Sequence, residues 1–286
     1  MECMVRDIPI YYEVYGEGKP VVCIHGYTVD HRLMTGCLEP VFEQTQGYKR
    51  IYLDLPGMGK TPSARWLRTA EDMLALLKEW IDTVIPGENL LLAGESYGGY
   101  LTLGLVHDLP ERINGAMLIC PAVAYTSSAP GRILPRRLGP PARHVLHQSP
   151  GLKAGADASA MAAFLEMAVI ATPETYEKYR RDILPGIRSA DTDFLYRHFG
   201  AAYSDAFVED LEAMVFEKPS CIVTGRQDHV VGYADAYKML DRFPRATFAV
   251  LDGSGHNLQI EAVPVFNRLV MDWLGRVETG PGDARG

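Results

Sequence analysis

No two of the five cysteines (Cys3, Cys23, Cys37, Cys120, Cys221) are spaced C-x-x-C, and zinc-ligand spacing is absent. A disulfide framework and a structural metal are therefore not expected to organise the chain. Cys23, Cys120 and Cys221 each lie inside an apolar strand-like run. They are expected as buried free thiols, which fits a reducing cytoplasm. Long apolar runs are missing as well: the longest stop at glycine, proline or a charge, so no membrane span is expected. Residues Met1–Asp7 lack the basic-then-apolar layout of a signal peptide. Nor is there an excess of positive charge. Lys and Arg number 28 against 36 Asp and Glu, a net charge of −8, which argues against a nucleic-acid partner. No internal repeat is present.

What remains has the make-up of an ordinary globular enzyme, 47% hydrophobic and 22% charged. Its 286 residues suffice for one α/β domain with an insertion, or for two small domains. A strand pair is expected over Met4–Asp7 and Ile10–Tyr15, closed by the turn Gly16–Pro20. Short apolar strands then alternate with amphipathic helical segments: Val21–Ile24 with His31–Gln44, Arg50–Leu55 with Thr69–Val84, Leu90–Ala93 with Tyr97–Leu109, then Ile113–Cys120. After an interruption the pattern resumes, with Cys221–Thr224 before Tyr233–Phe243 and Thr247–Leu251 before Val263–Leu274. Strands that are apolar throughout and separated by helices predict a mostly parallel sheet covered by helices on both faces.

The interruption, residues 122–218, divides a core of residues 1–121 and 219–277. It shows helical patterns (Ala158–Ile170, Pro173–Ile183, Ala190–Ala201) without strand-like alternation, and its length suits a helical lid. Its first part is rich in proline (Pro130, Pro135, Pro140, Pro141, Pro150) and carries Arg132, Arg136, Arg137 and Arg143. That basic run could face an anionic substrate, but a solvated loop is the simpler reading. Met161, Phe164, Leu165, Met167 and Ile170 fall at helical spacing and are expected to pack within the insertion. Residues 278–286, glycine-rich and polar, are expected as a flexible tail.

One pentapeptide stands out. Gly94-Glu95-Ser96-Tyr97-Gly98 follows the apolar run Leu90–Ala93 and opens a helical segment, the strand–turn–helix context that exposes a serine nucleophile. A strand reversing directly into a helix crowds the atoms two residues either side of its apex. Gly94 and Gly98 relieve that crowding, and strain is expected at Ser96. A serine hydroxyl needs a base, and the base works best when a carboxylate orients it. Two later strands run into such residues: Cys221–Thr224 leads to Asp228, and Thr247–Leu251 leads to His256 in a glycine-rich loop. Asp252, four residues before His256, is the competing carboxylate, and His229 is read as structural. Two backbone donors for an oxyanion are expected. One is the N–H of Tyr97; the other is that of Tyr27, brought close by the turn His25-Gly26. His25 itself is read as bracing the loop.

Other motifs fail. Gly59-Lys60-Thr61 lacks the glycine a phosphate loop needs five positions earlier, where Asp54 stands. Pro62 occupies the third-glycine position of a dinucleotide loop. Asp54–Thr61 is therefore read as a tight turn after the fourth strand.

Taken together, His25-Gly26, Asp54-Leu55-Pro56-Gly57-Met58-Gly59, Gly94–Gly98, Gly225…Asp228 and Gly255-His256 give the chain a resemblance that spans Met4–Leu274. It resembles the α/β-hydrolase superfamily, in its lid-bearing branch of small esterases, C–C hydrolases and cofactor-free haloperoxidases. The resemblance implies an eight-stranded, mostly parallel sheet and the order Ser96…Asp228…His256 for nucleophile, acid and base. It implies a small-molecule, ester-like substrate and no cofactor or metal. A carboxylic ester or lactone is the expected substrate, with C–C cleavage, perhydrolysis or cyclisation by the same residues as the alternative. A ligand receptor on the same scaffold would not need an intact triad. Glu95 departs from the histidine often found there in this branch, and nothing in the sequence assigns it a function.

Overall fold

The computed structural model describes residues 1–123, 147–152, 157–199 and 214–279. Eight strands form one sheet in the order β1-β2-β4-β3-β5-β6-β9-β10. β1 (Glu2–Val5) and β2 (Ile8–Tyr15) are an antiparallel hairpin, and β2 is antiparallel to β4 (Tyr48–Leu53). From β4 onward every pairing is parallel, through β3 (Lys19–Ile24), β5 (Leu90–Glu95), β6 (Ile113–Ile119), β9 (Ser220–Gly225) and β10 (Ala246–Leu251). The hairpin turn falls at Arg6–Asp7, where Arg6 takes φ 53°, so β1 and β2 start two residues earlier than the sequence predicts.

Successive strand residues feed opposite layers, which is why the central strands are apolar throughout. Val22, Ile24, Leu92 and Leu118 pack with α2 (Ala70–Val84) and α3 (Tyr97–Asp108). Val21, Cys23, Ala93 and Met117 share the other layer with α1 (His31–Phe42) and the long C-terminal helix Val263–Thr279. Trp80 anchors the first layer and Trp273 the second, both fully buried. α2 opens with a capping box, in which the Asp72 N–H donates to Thr69 Oγ1 and the Thr69 N–H to Asp72 Oδ2. All five cysteines are free thiols, and Cys23, Cys120 and Cys221 are buried as expected.

Between β6 and β9 lies a helical insertion. Its described parts include α4 (Ala158–Met167), α5 (Pro173–Lys178), a π-helical turn (Tyr179–Ile183), α6 (Leu184–Ser189) and a second π-helical turn (Phe194–Phe199). Phe164 packs against Tyr176 and Tyr179, with ring centroids 5.2 and 5.4 Å away, and the turn Tyr179–Ile183 rests on α1. The Arg132–Arg143 run and its prolines lie outside the described residues.

Four further element expectations are corrected. α4 stops at Met167 rather than Ile170, because the Val169 and Ile170 N–H groups donate to the side chain of Glu261 instead of continuing the helix. Ile170–Ala171 then pairs in parallel with His147–Gln148, a short strand pair (β7, His147–Gln148; β8, Ile170–Ala171) that the sequence pattern did not reveal. The helix expected over Tyr233–Phe243 shortens to Ala234–Tyr237 and a 3₁₀ turn, Leu240–Arg242, ahead of Pro244. The C-terminal helix runs to Thr279, two residues into the expected tail. Glu278 holds it there, accepting from Lys19 Nζ at 2.6 Å and from the Tyr48 hydroxyl at 2.7 Å.

Candidate active site

The sheet delivers its chemistry at the carboxyl ends of β3, β5, β9 and β10, where loops converge in open parallel sheets. β5 turns into α3 at one residue. Ser96 takes φ 52° and ψ −112°, a left-handed conformation costly for any residue with a side chain. The neighbouring strand holds it there: the Ser96 N–H donates to Ile119 O at 2.9 Å, and its carbonyl accepts the Ala122 N–H at 3.1 Å. Both flanking glycines are sterically required. A methyl group on Gly94 would overlap the Gly98 carbonyl, and one on Gly98 would overlap that of Ile24.

Ser96, His256 and Asp228 form one hydrogen-bonded chain, its two links joining residues 160 and 28 positions apart in sequence. His256 Nε2 lies 3.0 Å from Ser96 Oγ, and His256 Nδ1 lies 2.9 Å from Asp228 Oδ2. The other carboxylate oxygen, Asp228 Oδ1, accepts the N–H groups of Val230 at 2.8 Å and Val231 at 3.1 Å. Burial alone would raise the Asp228 carboxyl, but the facing imidazole and these bonds hold it below its ordinary value. Burial likewise opposes charge on His256. The carboxylates of Asp228 and Glu95 outweigh it and push the imidazole up to about 9. Asp252 stands apart, accepting from Gln227 Nε2 at 2.7 Å. A hydroxyl beside an imidazole that a buried carboxylate orients is the arrangement nucleophilic acyl transfer needs.

The turn after β3 comes up against the serine: a Cβ on Gly26 would sit 3.2 Å from Ser96 Cβ. His25 braces that turn, its Nδ1 lying 2.7 Å from Gly26 O while Nε2 accepts the Leu55 N–H at 2.9 Å. Its pKa is lowered, chiefly by complete burial, which keeps the ring neutral in this role. The Tyr27 and Tyr97 rings meet edge to face with centroids 5.5 Å apart, and Tyr97 opens α3, where first-turn N–H groups point out of the helix end. Asp54 folds its own loop into a tight turn, accepting from His31 N and Nδ1 and from Lys60 N, each at 2.8 Å.

Two carboxylates flank the site: the buried Glu95, to which the sequence assigned no function, and the partly buried Glu261, which it did not single out. Glu95 Oε1 lies 3.5 Å from His256 Nε2, and burial pushes this carboxyl up to about 7 against the pull of His256. Glu261 Oε2 accepts the Gly255 N–H at 2.7 Å, while its Oε1 accepts those of Val169 at 2.5 Å and Ile170 at 3.2 Å. The only cue in the sequence was a glutamate beside each motif. Ligand atoms of Cys120, Asp228 and His256 cluster within 4.8 Å, but Asp228 and His256 are already each other's hydrogen-bond partners, which leaves a poor donor set for an ion.

With this geometry in place, known proteins give it a context. A family model for the α/β hydrolase fold matches residues 19–263. Over 119 residues the chain is 30% identical to the pimeloyl-[acyl-carrier protein] methyl ester esterase of Shewanella oneidensis, a match covering 41% of the chain and only 40% of that relative's length. It is 25% identical to 2-hydroxy-6-oxononadienedioate/2-hydroxy-6-oxononatrienedioate hydrolase 2 of Pseudomonas putida, over 94% of the chain and 92% of that protein. An α/β superfamily hydrolase from Oenococcus oeni superposes with a TM-score of 0.85 at 28% identity, covering 97% of this chain and 99% of its own. The chain belongs to the α/β-hydrolase fold family.

Proposed function

We propose that this protein is a serine hydrolase that cleaves a carboxylic ester or lactone through an acyl-enzyme. The observation that carries the reading is the chain Ser96–His256–Asp228, with the serine on a left-handed elbow. As Ser96 Oγ attacks the substrate carbonyl carbon, His256 Nε2 takes the hydroxyl proton, while Asp228 holds the Nδ1–H and stabilises the imidazolium. The N–H groups of Tyr27 and Tyr97 hold the negative charge on the carbonyl oxygen. The imidazolium then gives its proton to the departing alcohol, leaving Ser96 acylated. Water attacks the acyl group with His256 again as base, which releases the acid and restores the hydroxyl.

In this account residues 122–218 are a cap over a core of residues 1–121 and 219–277, and the substrate is a small molecule. The buried thiols support work in a reducing compartment such as the cytoplasm. No helix among the described residues is long and apolar enough to cross a membrane. Similarity to the Pseudomonas putida hydrolase along 94% of the chain supports a second reading, C–C bond cleavage by the same three residues. The two readings separate on a panel of p-nitrophenyl esters of graded acyl length, with Ser96→Ala as control. Ser96-dependent ester turnover is expected. A wild-type protein that reacts covalently with a fluorophosphonate yet turns over no ester would favour the C–C reading. One that does neither would sink both.

A further inference from the structure

The imidazole of His256 has a carboxylate at each nitrogen. Asp228 Oδ2 faces Nδ1 at 2.9 Å. On the other side Nε2 meets two acceptors, Ser96 Oγ at 3.0 Å and Glu95 Oε1 at 3.5 Å. Glu95 is only 2% exposed and is the last residue of β5, so its backbone is fixed by the same strand that positions the nucleophile. Its carboxylate reaches across to the turn after β3 as well. Glycine at position 26 leaves room for Glu95 Oε2, which a Cβ there would overlap, and the Gly26 N–H favours the ionised form.

A carboxylate so placed has no part in the reaction steps given above, but it is not electrically silent. The neutral imidazole presents a lone pair at Nε2, which faces Glu95 unfavourably. The imidazolium presents an N–H instead, which Ser96 accepts at 3.0 Å while the Glu95 carboxylate, 3.5 Å away, attracts its charge. We propose that Glu95 is a positioning residue that stabilises His256 as the imidazolium between turnovers, setting the pH at which the base becomes available. The inference rests on His256 acting as the base of the proposed hydrolase.

The groups packed around the ring all push the same way. Asp228 comes from the loop after β9, Glu95 from the end of β5 and Glu261 from the helical turn after the histidine loop; Cys120, at the end of β6, lies against Asp228. All three carboxylates favour the charged ring. With Glu95 losing its proton at about 7 and His256 at about 9, the imidazolium–carboxylate pair occupies the window between. Above it the imidazole is neutral and can accept the Ser96 proton, so kcat/KM climbs through that window, reaches half its plateau near the upper end and levels off beyond it.

Replacing Glu95 by Gln removes the charge and keeps the shape. For Ser96-dependent hydrolysis of p-nitrophenyl acetate, the acid limb of kcat/KM in Glu95→Gln is expected about one pH unit or more below that of the wild type. Measured against its own plateau, the variant is then about tenfold more active on that limb. Glu95→Asp, charged but shorter, should fall between the two. The titration of the His256 ring, followed by NMR in Ser96→Ala with and without Glu95→Gln, reads the same pair without any turnover. An unshifted acid limb, or a His256 that titrates identically with and without the Glu95 charge, overturns the proposal. A wild-type His256 titrating at its ordinary value does so even where Glu95→Gln fails to fold. Absence of Ser96-dependent turnover counts against the hydrolase reading instead, and leaves the NMR result to decide this one.

Discussion

At the scale of single residues the site is a set of side chains whose meaning depends on what lies next to them. Ser96 has no side-chain cap to make at the start of α3, and its hydroxyl is turned to His256. Ser96→Ala and His256→Ala should each remove nearly all turnover, by roughly 10⁶-fold, while circular dichroism stays that of the wild type. Asp228→Asn keeps the size of the acid but disturbs the tautomer of the ring, and a loss of about 10⁴-fold in kcat is expected. Steady-state kinetics on one ester checks all three. The candidate residues Ser96, Asp228 and His256 could be picked from the sequence because each follows an apolar strand within a few residues and their order is that of a known family. Glu95 and Glu261 were not. A glutamate near a motif looks solvated until the fold shows Glu95 buried and Glu261 partly buried, and the amides that Glu261 binds at Val169 and Ile170 lie more than 90 positions away.

Elements bring these residues together, and two of them do so under tight constraint. Where β5 meets α3, backbone passes within contact of backbone at Gly94 and Gly98, with no side chain able to rotate aside. Gly98→Ala should therefore cost about 1–3 kcal/mol, as overpacking does, and should lower activity by shifting the elbow. Urea denaturation and ester turnover of the same sample test both effects. The second constraint is the Glu261 carboxylate, which ties the Gly255 amide, next to His256, to the start of β8 in the insertion. Glu261→Ala leaves three N–H groups short of their acceptor. The expected loss is at least about 2 kcal/mol, with faster amide exchange at Gly255, Val169 and Ile170 than anywhere in β5. Unchanged exchange at those amides would show that the carboxylate holds nothing. The mostly parallel sheet and its two helical layers followed from the alternation of apolar strands with helices, whereas the strand order came only with the fold. The end of α4 did not, because a distant side chain, rather than local propensity, decides it.

For the whole molecule the question is whether insertion and core behave as one body. Phe164 of α4 is buried in the same apolar cluster as Met34 of α1 and Trp273 of the C-terminal helix. Phe164→Ala should destabilise by about 3–5 kcal/mol, and the loss should appear in a single unfolding transition followed by tryptophan fluorescence. A separate early transition would mean that the insertion unfolds by itself. The strand–helix alternation and its interruption, rather than length or composition, pointed to an α/β core with an insertion, but not to how closely that segment packs on α1, since those contacts join residues about 140 positions apart in sequence. The central claim, that Ser96 is the nucleophile of the folded protein, is tested most directly by intact mass after exposure to a fluorophosphonate. One adduct per chain is expected, mapped to the peptide that carries Ser96 and missing from Ser96→Ala. A wild-type chain that stays unmodified, or a Ser96→Ala chain that is modified equally, would contradict it.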